Sequence, residues 1–398
     1  MALMATQAKQ PRSKSALNYV EMSIALVTGL SFAMTALLLS VAPLSGKIAG
    51  ARDFVIYWAT GQQLVHHANP YDQAAMTRIE RAAGLPQPYS VGFMRNPPWG
   101  LPLTMPVGIF SLRVATVLWS LVLIGCLAIS VHLLWVMHGR RKDYLQWLGY
   151  SFAPAMVCLI AGQTALFALL GLVLFLYLHR TRPFLAGMSL WLCALKPHLF
   201  LAFGVVLLAW IVVERSYKVL AGAVVALAAS CALIYWISAT AWHDYLEMMR
   251  TSGIEKEMIP CLSIVLRLWV SPQSMWLQYL PSGIGCCWAL VYFWQRRRTW
   301  DWMKDGSLVM LVSLVSAPYC WLFDQCVAIP ALLEGAYLTR SKILLISIAL
   351  ASVAIEVCFI GGIRFASVFN LWTAPAWLAA YLIACAFANK QETVQEPA

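Results

Sequence analysis

The sequence predicts an all-α polytopic membrane protein, and its composition and charge pattern both indicate this class. Of the 398 residues, 61% are hydrophobic and only 11% are charged, and the mean hydropathy is +0.72. A bundle of membrane-spanning helices needs such a composition, whereas a water-soluble domain does not. The net charge of +11 does not indicate nucleic-acid binding, because the basic residues form short clusters between apolar segments.

About twelve apolar segments approach the length that crosses a bilayer. The first runs from about residue 19 to 41 and lacks a signal-peptide cleavage pattern, so we predict a retained helix. The others lie near 114–137, 144–160, 164–178, 183–195, 198–213, 219–238, 275–294, 306–318, 326–339, 343–360 and 368–387.

Charge predicts the orientation of these spans. With the N-terminus inside, 17 of the 28 lysines and arginines fall on the cytoplasmic side, which the positive-inside rule favours. Both termini are then cytoplasmic, and residues 43–113 form a long, helical first extracytoplasmic loop. The apolar stretch 97–110 in this loop is too short to span, so we predict that it lies at the outer interface.

Unusual polar residues collect on the predicted extracytoplasmic side, and polar groups near membrane depth indicate a site. Asp53 stands at the start of the first loop, and Tyr57 follows one helical turn later on the same face. We predict that Asp53 presents its carboxylate to a cavity. The alternative is that it only caps the helix that follows.

Two cations on this side have the chemistry to bind phosphate. Arg95 precedes the stiff segment Asn96-Pro97-Pro98, and its guanidinium fork is able to hold a phosphate through two hydrogen bonds. Lys196 interrupts an apolar run just before a proline. The alternatives are lipid-headgroup anchoring for Arg95 and a snorkelling helix end for Lys196.

The remaining candidates are predicted to bind substrate. They are Arg52, Tyr57, Gln163, His198, Tyr319 and Asp324. Asp324 has an alternative role as a helix cap. The sequence has no Walker motif, dinucleotide loop, Asp-x-Asp pair or Cys-x-x-Cys pair, so we predict no metal and no cofactor. A lipid-linked sugar donor fits an outside site better than a soluble nucleotide sugar does.

Several short segments together resemble glycosyltransferase family 87. In the first loop they are Asp53-Phe54, Tyr57-Trp58, Gly61, Leu64 and Asn69-Pro70-Tyr71-Asp72. Later they are Pro97-Pro98, Gly162-Gln163, Ala186-Gly187, Leu195-Lys196-Pro197, and Ser316-Ala317-Pro318 with Asp324. The family comprises polyprenol-phosphate-mannose-dependent mannosyltransferases of the GT-C class. Where its pattern has an aromatic residue before the Pro-Pro pair, this chain has Arg95-Asn96, so the phosphate role of Arg95 rests on chemistry alone.

The resemblance implies a GT-C fold. A catalytic module would cover residues 19–238, a variable transmembrane module 239–388, and cytoplasmic tails 1–18 and 389–398. It also implies a multi-pass enzyme of the inner (cytoplasmic) membrane that acts in cell-envelope synthesis. Its partners would be a polyprenyl-phosphate sugar and a glycan or glycolipid acceptor, and its general base would be Asp53.

The resemblance therefore implies transfer of mannose to an acceptor hydroxyl on the extracytoplasmic side, and a single displacement would invert the anomeric centre. Three alternatives remain open. They are a GT-C enzyme using another lipid-linked sugar such as arabinofuranose, a ligase that moves whole glycans, and a lipid-sugar flippase or transporter. The last is suggested by Glu334 and Glu356, which lie inside apolar runs.

Overall fold

The protein is described by a computed structural model that covers residues 14–41, 53–84, 94–141, 144–251, 253, 258–339, 341–360 and 367–395. Within these ranges the regular elements are all helices, and no strand occurs. The predicted all-α class is confirmed.

The helices of the first half follow the chain in this order. They are α1 (Lys14–Val41), α2 (Phe54–Val65), α3 (Gln73–Ala82), α4 (Leu112–Met137), α5 (Trp147–Tyr150), α6 (Ala153–Ala161), α7 (Ala165–Leu178), α8 (Pro183–Cys193) and α9 (Leu201–Val213). Short 3₁₀ helices cover Pro98–Leu103, Met105–Ile109 and Pro197–Phe200.

The second half continues the helical bundle. Its helices are α10 (Tyr217–Ile237), α11 (Ala241–Thr251), α12 (Leu262–Val270), α13 (Trp276–Arg296), α14 (Asp305–Ser316), α15 (Ile329–Leu338), α16 (Lys342–Ile360) and α17 (Thr373–Gln395). Two more 3₁₀ helices cover Leu322–Ala328 and Val368–Asn370.

Every apolar run of the sequence contains a helix, but the lengths vary. In the described ranges, three helical segments are long and apolar enough to cross a membrane, namely Leu112–Met137, Tyr217–Ile237 and Val368–Ala388. Seven further apolar helical segments are shorter, among them Ala165–Leu178. The membrane class is thus supported, while the number of twelve spans stays a prediction.

Two glycines allow α8 and α10 to cross closely. A Cβ added to Gly187 on α8 would collide with the carbonyl oxygen of Val219 on α10, and one added to Gly222 would collide with that of Phe184. Small residues at a crossing let two backbones approach closely, which is how membrane helices gain packing energy. The crossing therefore fixes α8, whose C-terminal end leads into Lys196.

The first loop is closed on itself by one set of contacts and held against the bundle by another. Gly61 on α2 packs directly on the backbone of Gly108, and the Gln62 side chain donates a hydrogen bond to the Gly108 carbonyl. The indole of Trp99 donates to Ala194 O at 2.7 Å, while the Trp99 carbonyl accepts from Ser230 Oγ at 2.7 Å. The Trp99 contacts place the loop against the C-terminal parts of α8 and α10.

Glu334 and Glu356 are the two carboxylates that suggested a transporter. Each connects two parts of the helical bundle. Glu334 on α15 lies 2.8 Å from Nε2 of His138, which follows α4. Glu356 on α16 accepts a hydrogen bond of 2.9 Å from Ser31 Oγ on α1. Both residues therefore have a packing role, and neither contacts the polar cluster described next.

Candidate active site

Asp53 lies at the start of α2, but its side chain makes no capping hydrogen bond. Instead, Gln163 Nε2 donates a hydrogen bond of 2.6 Å to Asp53 Oδ2. The alternative that Asp53 merely caps the helix is therefore wrong. Its carboxylate connects the first loop to Gln163, which lies 110 positions further along the chain.

Gln163 is held in place by a left-handed glycine and a tryptophan. Gly162 ends α6 with a φ of +71°, a conformation that glycine adopts without steric cost. Trp119 Nε1 donates to the Gly162 carbonyl at 2.8 Å, and Gln163 N donates to Cys158 O at 3.0 Å. The Gly-Gln pair is thus a turn that points one amide side chain at Asp53.

The Gln163 side chain links three other functional groups. While its Nε2 donates to Asp53, its Oε1 accepts from the Tyr57 hydroxyl at 2.8 Å and from Lys196 Nζ at 3.2 Å. An amide has both donors and an acceptor, so it is able to join a carboxylate to two donors. Asp53, Tyr57 and Lys196 therefore belong to one network.

Lys196 forms a buried ion pair at the other end of this network. Its Nζ lies 2.6 Å from Asp324 Oδ1, and the ring of Phe323 lies 5.0 Å from the same nitrogen. Asp324 is completely buried, and its Oδ2 accepts from the Trp321 backbone N–H at 3.0 Å. Both oxygens of Asp324 are engaged, one by the lysine and one as a cap of the 3₁₀ helix.

The charges of the cluster act on one another. Burial raises the pKa of the Asp53 carboxyl, although the hydrogen bond from Gln163 and the charges of Lys196 and Arg95 oppose this rise. Burial alone would lower the pKa of the Lys196 ammonium, but the Asp324 carboxylate raises it above its ordinary value. Lys196 is therefore charged at neutral pH, and Asp53 is a stronger base than an exposed aspartate.

Arg95 is brought to the cluster by the Asn-Pro-Tyr-Asp segment. Asn69 Oδ1 accepts from Tyr71 N at 2.8 Å, and the Tyr71 hydroxyl donates to Asn96 O at 2.8 Å. Asp72 caps α3 through Ala74 N and Ala75 N. This segment fixes the backbone next to Arg95, whose charge lowers the pKa of Asp53.

The other predicted residues fall into two groups. His198 and Tyr319 stack with their ring centroids 3.8 Å apart. Burial and the nearby charge of Lys196 lower the pKa of the His198 imidazole. Arg52 lies outside the described residues. Eight of the nine predicted site residues are thus in the described part of the chain, and they lie around one network.

Sequence reasoning missed two residues that shape this site. Trp119 holds Gly162 and packs its ring against Tyr57 at 5.7 Å, but it sits inside an apolar run that carries no signal. Phe323 lies over Lys196. The signal that could have found it is its position in the aromatic segment just before Asp324. Trp119 also packs against Phe54, which follows Asp53 and is buried.

The structure defines an integral membrane protein with a buried acid-base network where a loop meets helix ends. A family model described as glycosyltransferase family 87 matches residues 93–318, more than half of the chain. The chain therefore belongs to glycosyltransferase family 87 and is a membrane glycosyltransferase. The match contains Arg95, Gln163 and Lys196, whereas Asp53 lies 40 residues before its start and Asp324 six residues after its end. Comparisons with curated proteins and with solved structures find no match.

Proposed function

We propose that the protein transfers mannose from a polyprenyl phosphate to a hydroxyl of a glycan or glycolipid, with Asp53 as the general base. The observation that carries this proposal is the hydrogen-bonded chain from Asp53 through Gln163 and Lys196 to Asp324. It puts a base of raised pKa beside a permanent cation. A sugar transfer from phosphate needs these two groups.

Asp53 has one oxygen available for the acceptor. Gln163 occupies Oδ2, and within the described part of the chain no group donates to Oδ1. In the proposed step the acceptor hydroxyl gives its proton to Oδ1 while its oxygen attacks the anomeric carbon. The bond between that carbon and the phosphate oxygen breaks, and the electron pair leaves with the phosphate. A single displacement of this kind inverts the anomeric centre, through an oxocarbenium-like transition state.

The leaving lipid phosphate needs cations, because negative charge develops on its oxygen. Lys196 and Arg95 supply them in this proposal. Asp324 acts as a positioning residue, since its buried carboxylate holds Lys196 charged and in a fixed place. His198 and Tyr319 offer a stacked aromatic surface to the sugar.

The site faces the extracytoplasmic side in this proposal, which agrees with the orientation that the basic clusters predict. Gln163 precedes the start of α7, and Lys196 follows the end of α8, so both lie at the same end of these neighbouring helices. The proposed architecture is the GT-C fold of about twelve spans, with a catalytic module at 19–238 and a C-terminal module at 239–388, in the inner membrane.

The hydrogen bond from Gln163 predicts a shift in the pH profile. It lowers the pKa of Asp53, so Gln163→Leu is expected to raise that pKa and to move the acid limb of the kcat profile to higher pH. Activity then falls earlier as the pH decreases, because the base must be deprotonated. The matched control is Gln325→Leu, which removes a buried amide that bridges Thr373 and Trp377. An unshifted limb in Gln163→Leu would argue against Asp53 as the titrating base.

The transferred sugar is tested by offering the purified protein polyprenyl-phosphate mannose and polyprenyl-phosphate arabinofuranose with a glycolipid acceptor. We expect mannose to be transferred, with an anomeric configuration opposite to that of the donor by NMR of the product. If only arabinofuranose is transferred, the donor sugar is arabinofuranose and not mannose. Retention of configuration would contradict the single displacement.

A further inference from the structure

A second polar site lies at the other end of the same helices. It is a cleft of about 500 Å³, within the size range of ligand pockets. Five cationic side chains and one carboxylate line it, namely Arg180, Arg215, Lys218, Arg297, Arg298 and Glu214. Such an excess of positive charge in a concave surface favours an anion.

The cleft is separate from the Asp53 network. α7 begins next to Gln163 and ends next to His179, which lines the cleft, and its 14 residues span about 21 Å. α9 likewise begins after His198 and ends before Glu214. The cleft therefore cannot be part of the sugar-transfer site, and it lies on the predicted cytoplasmic side.

Two tryptophans with buried indole N–H groups form part of the wall of the cleft. Trp300 and Trp302 both line it, and Trp302 is only 2% exposed. Within the described ranges, neither indole N–H has a hydrogen-bond acceptor. Both N–H groups are buried from solvent, so the two tryptophans form a wall of the cleft and the cations recognise its ligand.

The acidic groups nearby do not balance the cations. Glu214 is the carboxylate in the lining, and Asp301 lies 3.8 Å from Arg180 with both side chains largely exposed. Arg215, Lys218 and Arg298 have no ion pair among the described residues. Guanidinium forks match the oxygens of a phosphate group.

We propose that this cleft binds a phosphate group, as carried by the headgroup of an anionic membrane lipid or by a free phosphate. The proposal does not depend on the proposed sugar transfer. Tryptophans and basic residues are also typical of the membrane interface, where such headgroups lie. A headgroup bound here would fix the ends of α7 and α9 and the start of α10.

The test measures binding to the full-length protein in detergent by isothermal titration calorimetry. The probes are dioctanoyl phosphatidylglycerol, inorganic phosphate, and dioctanoylglycerol as a phosphate-free control. The cleft variant is Arg215→Gln with Arg298→Gln. The matched control is Arg140→Gln with Arg182→Gln, which removes two exposed arginines of the same predicted side outside the cleft. Arg140 and Arg215 even share a positive φ, 51° and 53°.

We expect saturable binding of phosphatidylglycerol that the cleft variant weakens by roughly 10- to 30-fold, since each cation near an anionic headgroup contributes on the order of a few-fold or more. The control variant is expected to change it less than about twofold, as charges outside the site are screened. If inorganic phosphate competes with phosphatidylglycerol, the cleft is a general phosphate site. If it does not compete, the cleft is a lipid site. Equal weakening by both variants, or no binding beyond that of dioctanoylglycerol, would overturn the proposal.

Discussion

Asp53→Asn is expected to reduce kcat by about 10² to 10⁴ with little change in KM, since this is the usual contribution of a general base. Asparagine keeps the shape of the side chain and an oxygen that accepts the hydrogen bond from Gln163. What it removes is the ability to take the proton of the acceptor hydroxyl. The measurement is the initial rate of sugar transfer by purified protein, together with its thermal unfolding in detergent.

Asp72→Asn is the matched control for this prediction. Asp72 lies in the same predicted loop, and its carboxylate caps α3 by accepting from Ala74 N and Ala75 N. Asparagine caps a helix nearly as well as aspartate does, so we expect activity within about twofold of the wild type. If Asp53→Asn behaved like Asp72→Asn, Asp53 would not be the base.

Breaking the Lys196–Asp324 pair is expected to cost both stability and activity. Lys196→Met leaves a buried carboxylate without its cation, and Asp324→Asn leaves a buried ammonium without its counter-ion. Removing one partner of a buried ion pair costs about 3–5 kcal/mol. Thermal unfolding of each purified variant in detergent measures this loss, and the transfer assay measures the loss of activity.

The double variant Lys196→Met/Asp324→Asn separates folding from catalysis. Because neither charge is left alone, its stability is expected to fall by less than the sum of the two single losses. Its activity should stay low, since no cation then faces the leaving phosphate. A double variant that is both stable and fully active would show that Lys196 serves packing only. Additive losses of stability would instead contradict the ion pair.

Much of the helical pattern follows from the sequence, because a membrane demands long apolar segments. The apolar run near 144–160 was predicted as one span, but it contains two helices. α5 and α6 are separated at Ser151 and Phe152, with Pro154 in the first turn of α6. α3 lies in the loop that was predicted to be helical, but α11 was not predicted as a helix, because it is polar and its stability depends on what it packs against. Helical periodicity alone does not specify these partners.

The site was predictable as a set of residues but not as a network. Polar groups on one side of the predicted membrane identified Asp53, Gln163 and Lys196, since such groups are costly unless they have a role. Their mutual contacts depend on a turn at Gly162 and on Trp119, which no local pattern connects. The two alternatives for Asp324 also needed the structure, which shows that it caps a 3₁₀ helix and pairs with Lys196.

The most direct test of the account compares two mannose donors. Purified wild-type protein receives either polyprenyl-phosphate mannose or GDP-mannose, each labelled in the sugar, with the same glycolipid acceptor. The account predicts label in the acceptor from the lipid-linked donor only, and loss of this transfer in Asp53→Asn. Transfer from GDP-mannose, or undiminished transfer from the lipid-linked donor by Asp53→Asn, would contradict it.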